Sequence, residues 1–413
     1  MDSYRGLLGI AVLCAIAWAV SESRRTVPWR TVATGIALQY AFALVLLKVA
    51  LFRDTFLALN RIVAAVQEAT AAGAAFVFGY LGGGPAPFAA AEPGNGFILA
   101  FQALPLVIVV GALGAILHHW RILPAVVNGF AWVLARTMGI GGAAGVATAA
   151  NVFIGMVEAP LLVRAYVAAM SRSELFVVMT AGMATIAGTV MVIYATFLQG
   201  LVPDPIGQLL TASVMSAPAA VAVALIMVPG GAASTEGKPP SPRLYDSTMD
   251  ALTRGTLDGL TLLLNIAALL LALVALVHLV NAGLGVLPDV AGAPVTLQRA
   301  FGIVLAPLAW TLGIPWAEAH TAGALLGTKV ALNEFLAFLE LRKLPADALS
   351  PHSRLILTYA LCGFANFASL GIMIGGLGAM APERRKEITG LGLKSILSGL
   401  LATCMTGAVV GLL

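Results

Sequence analysis

Eight stretches of this chain, 6–20, 31–51, 97–117, 172–197, 206–228, 253–281, 351–378 and 388–411, are runs of apolar residues separated by short connections. Most approach the roughly 20 residues a helix needs to cross a bilayer. Lipid offers the backbone no hydrogen-bond partners, so such a chain must satisfy itself with helices or a closed barrel. Runs of this length select helices. With 60% hydrophobic and only 10% charged residues, against about 25% charged in soluble domains, a water-soluble, fibrous or disordered chain is excluded. Mean hydropathy is +0.96 over the whole length. The sequence predicts an all-α polytopic membrane protein with eight transmembrane helices.

A net charge of +4 would suggest nucleic acid if the cations were clustered, but most sit in short loops between apolar runs and read as topology signals. No nucleic-acid partner is expected. The three cysteines, Cys14, Cys362 and Cys404, lie inside apolar stretches without CxxC spacing, so neither a disulfide framework nor a cysteine metal site is expected. Ala17-Trp18-Ala19 resembles a signal-peptide cleavage site, but Arg24, Arg25 and Arg30 follow the apolar run instead of preceding it. We read a retained first span.

Segment 52–78 carries Arg53, Arg61 and Gln67 among apolar residues, a pattern suited to the membrane interface. Segments 141–170 and 315–343 each hold a glutamate between apolar arms too short to span. That is the pattern of a re-entrant hairpin, whose irregular tip is tolerated only where it lines a cavity. Glu158 and Glu334 mark the tips. If both hairpins return to the side they entered, loops 21–30, 229–248 and 381–387 share one face and hold Arg24, Arg25, Arg30, Lys238, Arg243, Arg384, Arg385 and Lys386. Segments 79–96, 198–205 and 282–296, on the other face, contain no lysine or arginine. The asymmetry places both termini outside.

The order hairpin, broken helix, span occurs at 141–170, 172–197, 206–228 and again at 315–343, 351–378, 388–411. By parity the copies are inverted, so the two hairpins are oppositely oriented. Inverted repeats with interrupted helices are the signature of a secondary transporter with its substrate near the midplane. Four units are expected: 1–140, scaffold spans one to three with the interfacial helix; 141–228, the first transport repeat; 229–314, a cytoplasmic loop, scaffold span six and a connecting helix; and 315–413, the second transport repeat.

Gly155 and Pro160 bracket Glu158, so the helix cannot continue regularly. Carbonyls released there, with the Asn151 side chain, are hard oxygen ligands suited to an alkali cation, while Glu158 offers acceptors to a polar substrate. Thr185 and Thr189 flank a small-residue step in Ala184–Val190, in isolation a weak signal that packing explains equally well. Asn333-Glu334-Phe335 and Phe364-Ala365-Asn366-Phe367-Ala368-Ser369 combine carboxylate, amide, hydroxyl and aromatic groups. Glu334 and Asn366 suit vicinal hydroxyls, and a phenyl ring offers a face to a sugar or base. Lys329 is read as structural, neutralising Glu334 or capping the hairpin. Adjacent His118 and His119, with no ligand at i+4, suit an interfacial role.

These residues resemble the concentrative nucleoside transporters, bacterial eight-span type, from about residue 97 to the C-terminus and more weakly before it. The resemblance rests on Asn151–Pro160, Ser173-Glu174-Leu175, Ala184–Val190, Asn333-Glu334-Phe335 and Gly363–Ser369, in that order. It implies a homotrimer in the bacterial inner membrane, importing nucleosides by elevator-like movement of a transport domain within a scaffold. It also implies sodium as the coupling ion, at Asn151, Ile154, Thr185 and Ile186, and no other cofactor. The nucleobase would meet Met156, Val157, Glu158 and Val190. The ribose would meet Glu334, Asn366 and Ser369, with Phe364 close by.

Many members carry Gln-Thr where this chain has Met156-Val157, and the exchange removes two polar contacts to a base. We expect a purine bias. Proton coupling is the alternative, disfavoured because Asn151 and Thr185 retain oxygen ligands. A membrane-embedded enzyme would need a catalytic constellation such as HExxH, which the sequence lacks. A gated channel would need pore-lining charges without paired inverted hairpins.

Overall fold

Proline, glycine and capping side chains divide this chain into helices at the positions where lipid can no longer be crossed regularly. The computed structural model describes residues 4–88, 97–140, 142–156, 158–230, 244–290, 292 and 294–413. The N-terminal third holds α1 (Arg5–Ala19), α2 (Trp29–Lys48), α3 (Ala50–Phe78), α4 (Leu99–Gln102), α5 (Pro105–His119) and α6 (Ile122–Met138). Pro105 opens α5, where its missing N–H leaves no bond unmade. Gly139 closes α6 at φ 68°, the left-handed geometry that glycine adopts without strain. The sequence reading had no element between 118 and 140. α6 carries Asn128, Arg136 and the exposed Trp132 among its apolar residues, a mixture suited to the membrane interface.

Next comes the first hairpin, α7 (Gly142–Asn151), α8 (Glu158–Leu161) and α9 (Arg164–Val167). Its return arm is broken into two single turns. The first broken helix is α10 (Arg172–Ala184) and α11 (Gly188–Leu198), followed by α12 (Pro205–Met227). Ser171 and Glu174 close a capping box at the start of α10: the Ser171 hydroxyl accepts from Glu174 N at 3.2 Å and Ser171 N donates to Glu174 Oε2 at 2.8 Å. The 37-residue α13 (Thr248–Leu284) and then α14 (Leu297–Thr311) lead into the second copy. That copy has hairpin arms α15 (Trp316–Ala331) and α16 (Glu334–Lys343), broken helix α17 (Pro351–Leu361) and α18 (Phe367–Met380), and span α19 (Arg385–Val410). Between α14 and α15 the chain turns through 117°.

This is the eight-span, two-hairpin inverted repeat expected from the sequence, with each break where a motif lies. Length and hydropathy alone would count differently. Among the described residues they pass Leu57–Gly82 as a span and miss α1, whose 15 residues cover only about 22 Å. They also miss α17 and α18, because the break divides that span.

α10, α11, α12 and α19 form the buried centre. α1 and α2 pack on α12 and α19, while α5 packs along α13. The last contact is backbone-close, because Gly255 and Gly259 of α13 lie against Gly111, Ala112 and Ile108 of α5. A Cβ on Gly259 would sit 2.6 Å from the Ile108 Cα. Gly255–Gly259 is a GxxxG step, which lets two membrane helices approach. Elsewhere α13 is bare: Ala251, Gly255, Gly259 and Leu270 are its buried residues.

One face gathers charge. Glu22 accepts from Arg172 at 2.8 Å and from Lys394 at 2.7 Å, and Arg172 also reaches Glu387 at 3.4 Å. The Arg172 hydrogen bond, assisted by Lys394 and opposed by partial burial, holds the Glu22 carboxyl down at about 2. Arg384 donates to Val167 O and Met170 O, at the foot of the first hairpin. The α1–α2 loop, the start of α10 and the start of α19 therefore share one side, as the loop-charge reading requires.

Candidate functional site

Two interrupted helices meet at their interruptions. A Cβ on Gly363 would lie 2.9 Å from Ala184 O, so the last turn of α10 touches the break between α17 and α18. Each hairpin tip is tied to the break of its own repeat.

In the first repeat, Gly188 N donates to Phe153 O at 3.1 Å, joining the tip to the first residue of α11. Ser213 of α12 donates to Val152 O at 3.1 Å. Helices α7 and α10 both end here, at Asn151 and Ala184, bringing two partially negative helix ends together. Asn151 is buried, and among the described residues neither its Oδ1 nor its Nδ2 has a hydrogen-bond partner. Thr185 caps α10 and donates to Ala181 O at 2.8 Å, leaving its oxygen free to act as a ligand. Ile186 is buried beside it and Ile154 half-buried at the tip. Orphaned amide atoms between two helix C-termini fit a cation site of hard oxygen ligands.

Met156 packs against α10, with its Cβ 3.1 Å from a Cβ built on Gly182, and Val190 is buried in the first turn of α11. Val157 lies outside the described residues. Glu158 is exposed. Its carboxylate folds back over Gly155, where any Cβ would collide with Glu158 Oε2.

The second glutamate is placed differently. Glu334 is buried, with both oxygens held: Oε1 accepts from the Tyr194 hydroxyl at 2.6 Å and Oε2 from Asn366 Nδ2 at 2.8 Å. Asn366 also caps α18, its Oδ1 accepting from Ser369 N at 2.7 Å. Asn333 caps α16 by accepting from Leu336 N at 2.9 Å. The N-termini of α16 and α18 thus converge on one carboxylate, a location that favours negative charge. Phe364 is half-buried beside this cluster in sequence, and Phe367 is exposed.

Tyr194 is the residue sequence reasoning missed. It sits mid-helix in an apolar run, where an aromatic reads as packing, and its ring does stack on Phe338 at 4.9 Å. Its hydroxyl crosses from the first repeat to the second, a relationship no local pattern encodes. Lys329 was expected to neutralise Glu334 or cap the hairpin. Its ammonium does attract the Glu334 carboxylate electrostatically, while its Nζ hydrogen-bonds elsewhere, donating to Ala360 O at 2.8 Å and to Thr403 Oγ1 at 2.7 Å. His118 packs edge-on against Tyr245 at 5.9 Å.

Residues 8–81 match the model described as Na+ dependent nucleoside transporter N-terminus, 208–411 the corresponding C-terminus, and 100–200 a nucleoside recognition "Gate" domain. Nucleoside permease NupC of Helicobacter pylori is 35% identical, covering 100% of this chain and 98% of its own length. The chain belongs to the sodium-dependent nucleoside transporter family. Mouse sodium/nucleoside cotransporter 1 is 32% identical over 98% of this chain and 63% of its own length. Structures of CNTnw superpose closely: an inward-facing substrate-bound state has TM-score 0.89 and 35% identity, covering 100% of this chain and 98% of that one. A substituted CNTnw in an outward-facing state has TM-score 0.90 and 34% identity, covering 100% and 98% respectively. Members of this nucleoside transporter family are membrane carriers and not enzymes, and neighbours in opposite-facing states support alternating access.

Proposed function

We propose that the protein imports nucleosides, with a purine preference, by sodium symport across the bacterial inner membrane. The observation that carries this reading is the pairing of two kinds of helix end in one domain. Two C-termini frame the orphaned Asn151 amide beside Thr185, and two N-termini frame the Glu334 carboxylate. Sodium is held by Asn151, Thr185 and the carbonyls of Ile154 and Ile186. The ribose hydroxyls bind Glu334, Asn366 and Ser369, with Phe364 alongside. The base packs on Met156, Val157 and Val190, and Glu158 hydrogen-bonds its polar edge.

Coupling follows from connectivity. The tip that begins after Asn151 leads directly to Met156 and Glu158 and is bonded to α11 through Phe153 O. A cation that orders this tip orders the base-binding surface with it, and linkage then requires nucleoside to tighten sodium binding equally. The moving body comprises both repeats together with α1 and α2, which pack on α12 and α19 and are therefore moved out of the scaffold to which the sequence had assigned spans one and two. α5 and α13 form the scaffold, α3 lies at the outer interface, and the bare apolar face of α13 makes the contacts of a homotrimer. The cation-bearing loops face the cytoplasm, so both termini lie outside.

Uptake of radiolabelled adenosine into proteoliposomes, with sodium and proton gradients imposed separately, tests the reading. Uptake should follow sodium, and Thr185→Val should raise the sodium concentration for half-maximal uptake and weaken adenosine binding at fixed sodium. Uptake that ignores sodium and follows an imposed pH gradient would replace sodium by protons as the coupling ion.

A further inference from the structure

The inverted repeat builds the meeting of two helix C-termini twice. In the first copy, α7 ends at Asn151 and α10 at Ala184, and a Cβ on Gly182 in the last turn of α10 would be 3.9 Å from Asn151 Oδ1. In the second copy, the corresponding arm α15 ends at Ala331 and the corresponding half-helix α17 at Leu361. Lys329, in the last turn of α15, is fully buried, and its Nζ sits 2.8 Å from the carbonyl of Ala360 in the last turn of α17. Its other partner, Thr403 Oγ1 at 2.7 Å, belongs to α19, the span that occupies in the second copy the place of α12 in the first. Each pair of ends concentrates unsatisfied carbonyls and negative dipole ends. The first pair presents neutral oxygen-bearing side chains, and the second already contains an ammonium group.

We infer that Lys329 is a tethered cation occupying the second repeat's counterpart of the coupling-ion site, so that one repeat takes its cation from solution and the other carries its own. This rests on the reading of Asn151 and Thr185 as a cation site. A carbonyl and a hydroxyl are the oxygens a sodium ion would use, and an ammonium donates to the same atoms. A permanent occupant holds the α17–α18 break closed against α19 in every state of the cycle. It also keeps a second solvent cation from binding beside the buried Glu334, leaving the ion at Asn151 as the one that loads and unloads. The adjoining break thereby stays rigid enough for Asn366 to hold its carboxylate and its cap together.

The prediction is that removing the ammonium while leaving oxygen ligands creates a second ion site. Lys329→Asn copies the Asn151 side chain into the second repeat; Lys329→Met removes the charge, keeps the length and offers no oxygen. Thermal unfolding in detergent and adenosine uptake in proteoliposomes would be followed against sodium, with choline as the replacement cation. Wild type should show a sodium dependence with a Hill coefficient of about 1, and Lys329→Asn one that rises toward about 2, with stability restored by sodium over choline. Lys329→Met should be destabilised and not rescued by sodium.

The proposal is overturned if Lys329→Asn keeps single-site sodium behaviour, if it fails to fold equally in sodium and choline, or if Lys329→Met retains wild-type stability and uptake. Loss of the steeper dependence on adding Asn151→Leu to Lys329→Asn, with a residual single-site response, assigns the new site to the second repeat. A wild type indifferent to sodium would refute the Asn151 site instead, and new sodium stabilisation in Lys329→Asn would still support the tethered cation.

Discussion

The amide of Asn366 holds Glu334 Oε2 at 2.8 Å with its nitrogen while its oxygen caps α18 by accepting from Ser369 N at 2.7 Å. One side chain thus fixes the start of a helix and the orientation of a buried carboxylate on a different element. Asn366→Ala should therefore do two kinds of damage. Loss of the cap costs about 0.5–2 kcal/mol of stability. Loss of a hydrogen bond to a charged group costs about 1.5–3 kcal/mol, or roughly 10–150-fold in nucleoside affinity. Asn366→Asp should keep the cap and still lose binding, because two carboxylates would then face each other. Calorimetric titration with adenosine beside a thermal melt separates the two effects. Wild-type affinity in Asn366→Asp would sever Asn366 from the sugar site.

Tyr194→Phe leaves the ring stacked on Phe338 and edge-on to Phe335 and removes only the hydroxyl bonded to Glu334 Oε1. We expect the protein to fold, with nucleoside affinity reduced about 10-fold or more on the scale of a charge-assisted hydrogen bond. Free nucleobase, which makes no use of Glu334, should compete as weakly as before. A parallel loss for adenine and adenosine would show that the Tyr194 hydroxyl supports the whole domain instead of the sugar site.

Gly155→Ala places a Cβ against Glu158 Oε2. The obstructed atom is the end of a flexible side chain, so the carboxylate should swing away while the hairpin survives. Uptake should fall severely with little change in melting temperature. An active Gly155→Ala protein would mean that the folded-back position of Glu158 is unimportant for transport.

Base selectivity is expected to lie in Met156 and Val157. A purine ring buries more apolar surface on them than a pyrimidine, and each methylene-sized contact contributes up to about 0.8 kcal/mol, giving a several-fold preference. The double substitution Met156→Gln with Val157→Thr should shift inhibition constants toward uridine and cytidine. An unchanged adenosine-to-uridine ratio would remove this pair from the base site.

The Glu22 carboxyl, held at about 2 by Arg172 and Lys394, ionises near 4.3 in an unfolded chain. Its folded value is lowered, so its contribution is fully present above about pH 4.3 and is lost as the pH falls toward 2. Glu22→Gln should lower the melting temperature slightly near pH 7, by no more than the roughly 0–1 kcal/mol of an exposed ion pair, and flatten the acid fall by the same amount, so that the two proteins converge near pH 2. Identical acid profiles for the two proteins would show that other carboxylates govern the fall.

Much of this architecture was legible because lipid removes alternatives. Apolar runs must become helices, and glycine and proline in 151–160 interrupt one. Loop charges also sort the two faces, as Glu22, Arg172, Glu387 and Lys394 illustrate by meeting on one side. The signals that failed were those of length. α6 was missed because 122–138 lacks a full span's apolar run, and hydropathy cannot separate the interfacial reading of α3 from a span.

The sequence by itself determined the inverted repeat, the two carboxylates at the tips and the polar residues at the breaks, because each is a local pattern of hydrophobicity and backbone propensity. It placed Glu158 and Glu334 at corresponding hairpin tips, with no difference in burial between them. Only the tertiary structure made the first exposed and the second a buried carboxylate held by Tyr194 and Asn366, and only it gave the Lys329 ammonium its hydrogen bonds to Ala360 and Thr403. The reason is physical: a buried polar group must find partners, and in a domain folded from two inverted copies those partners lie 31 to 140 residues away along the chain.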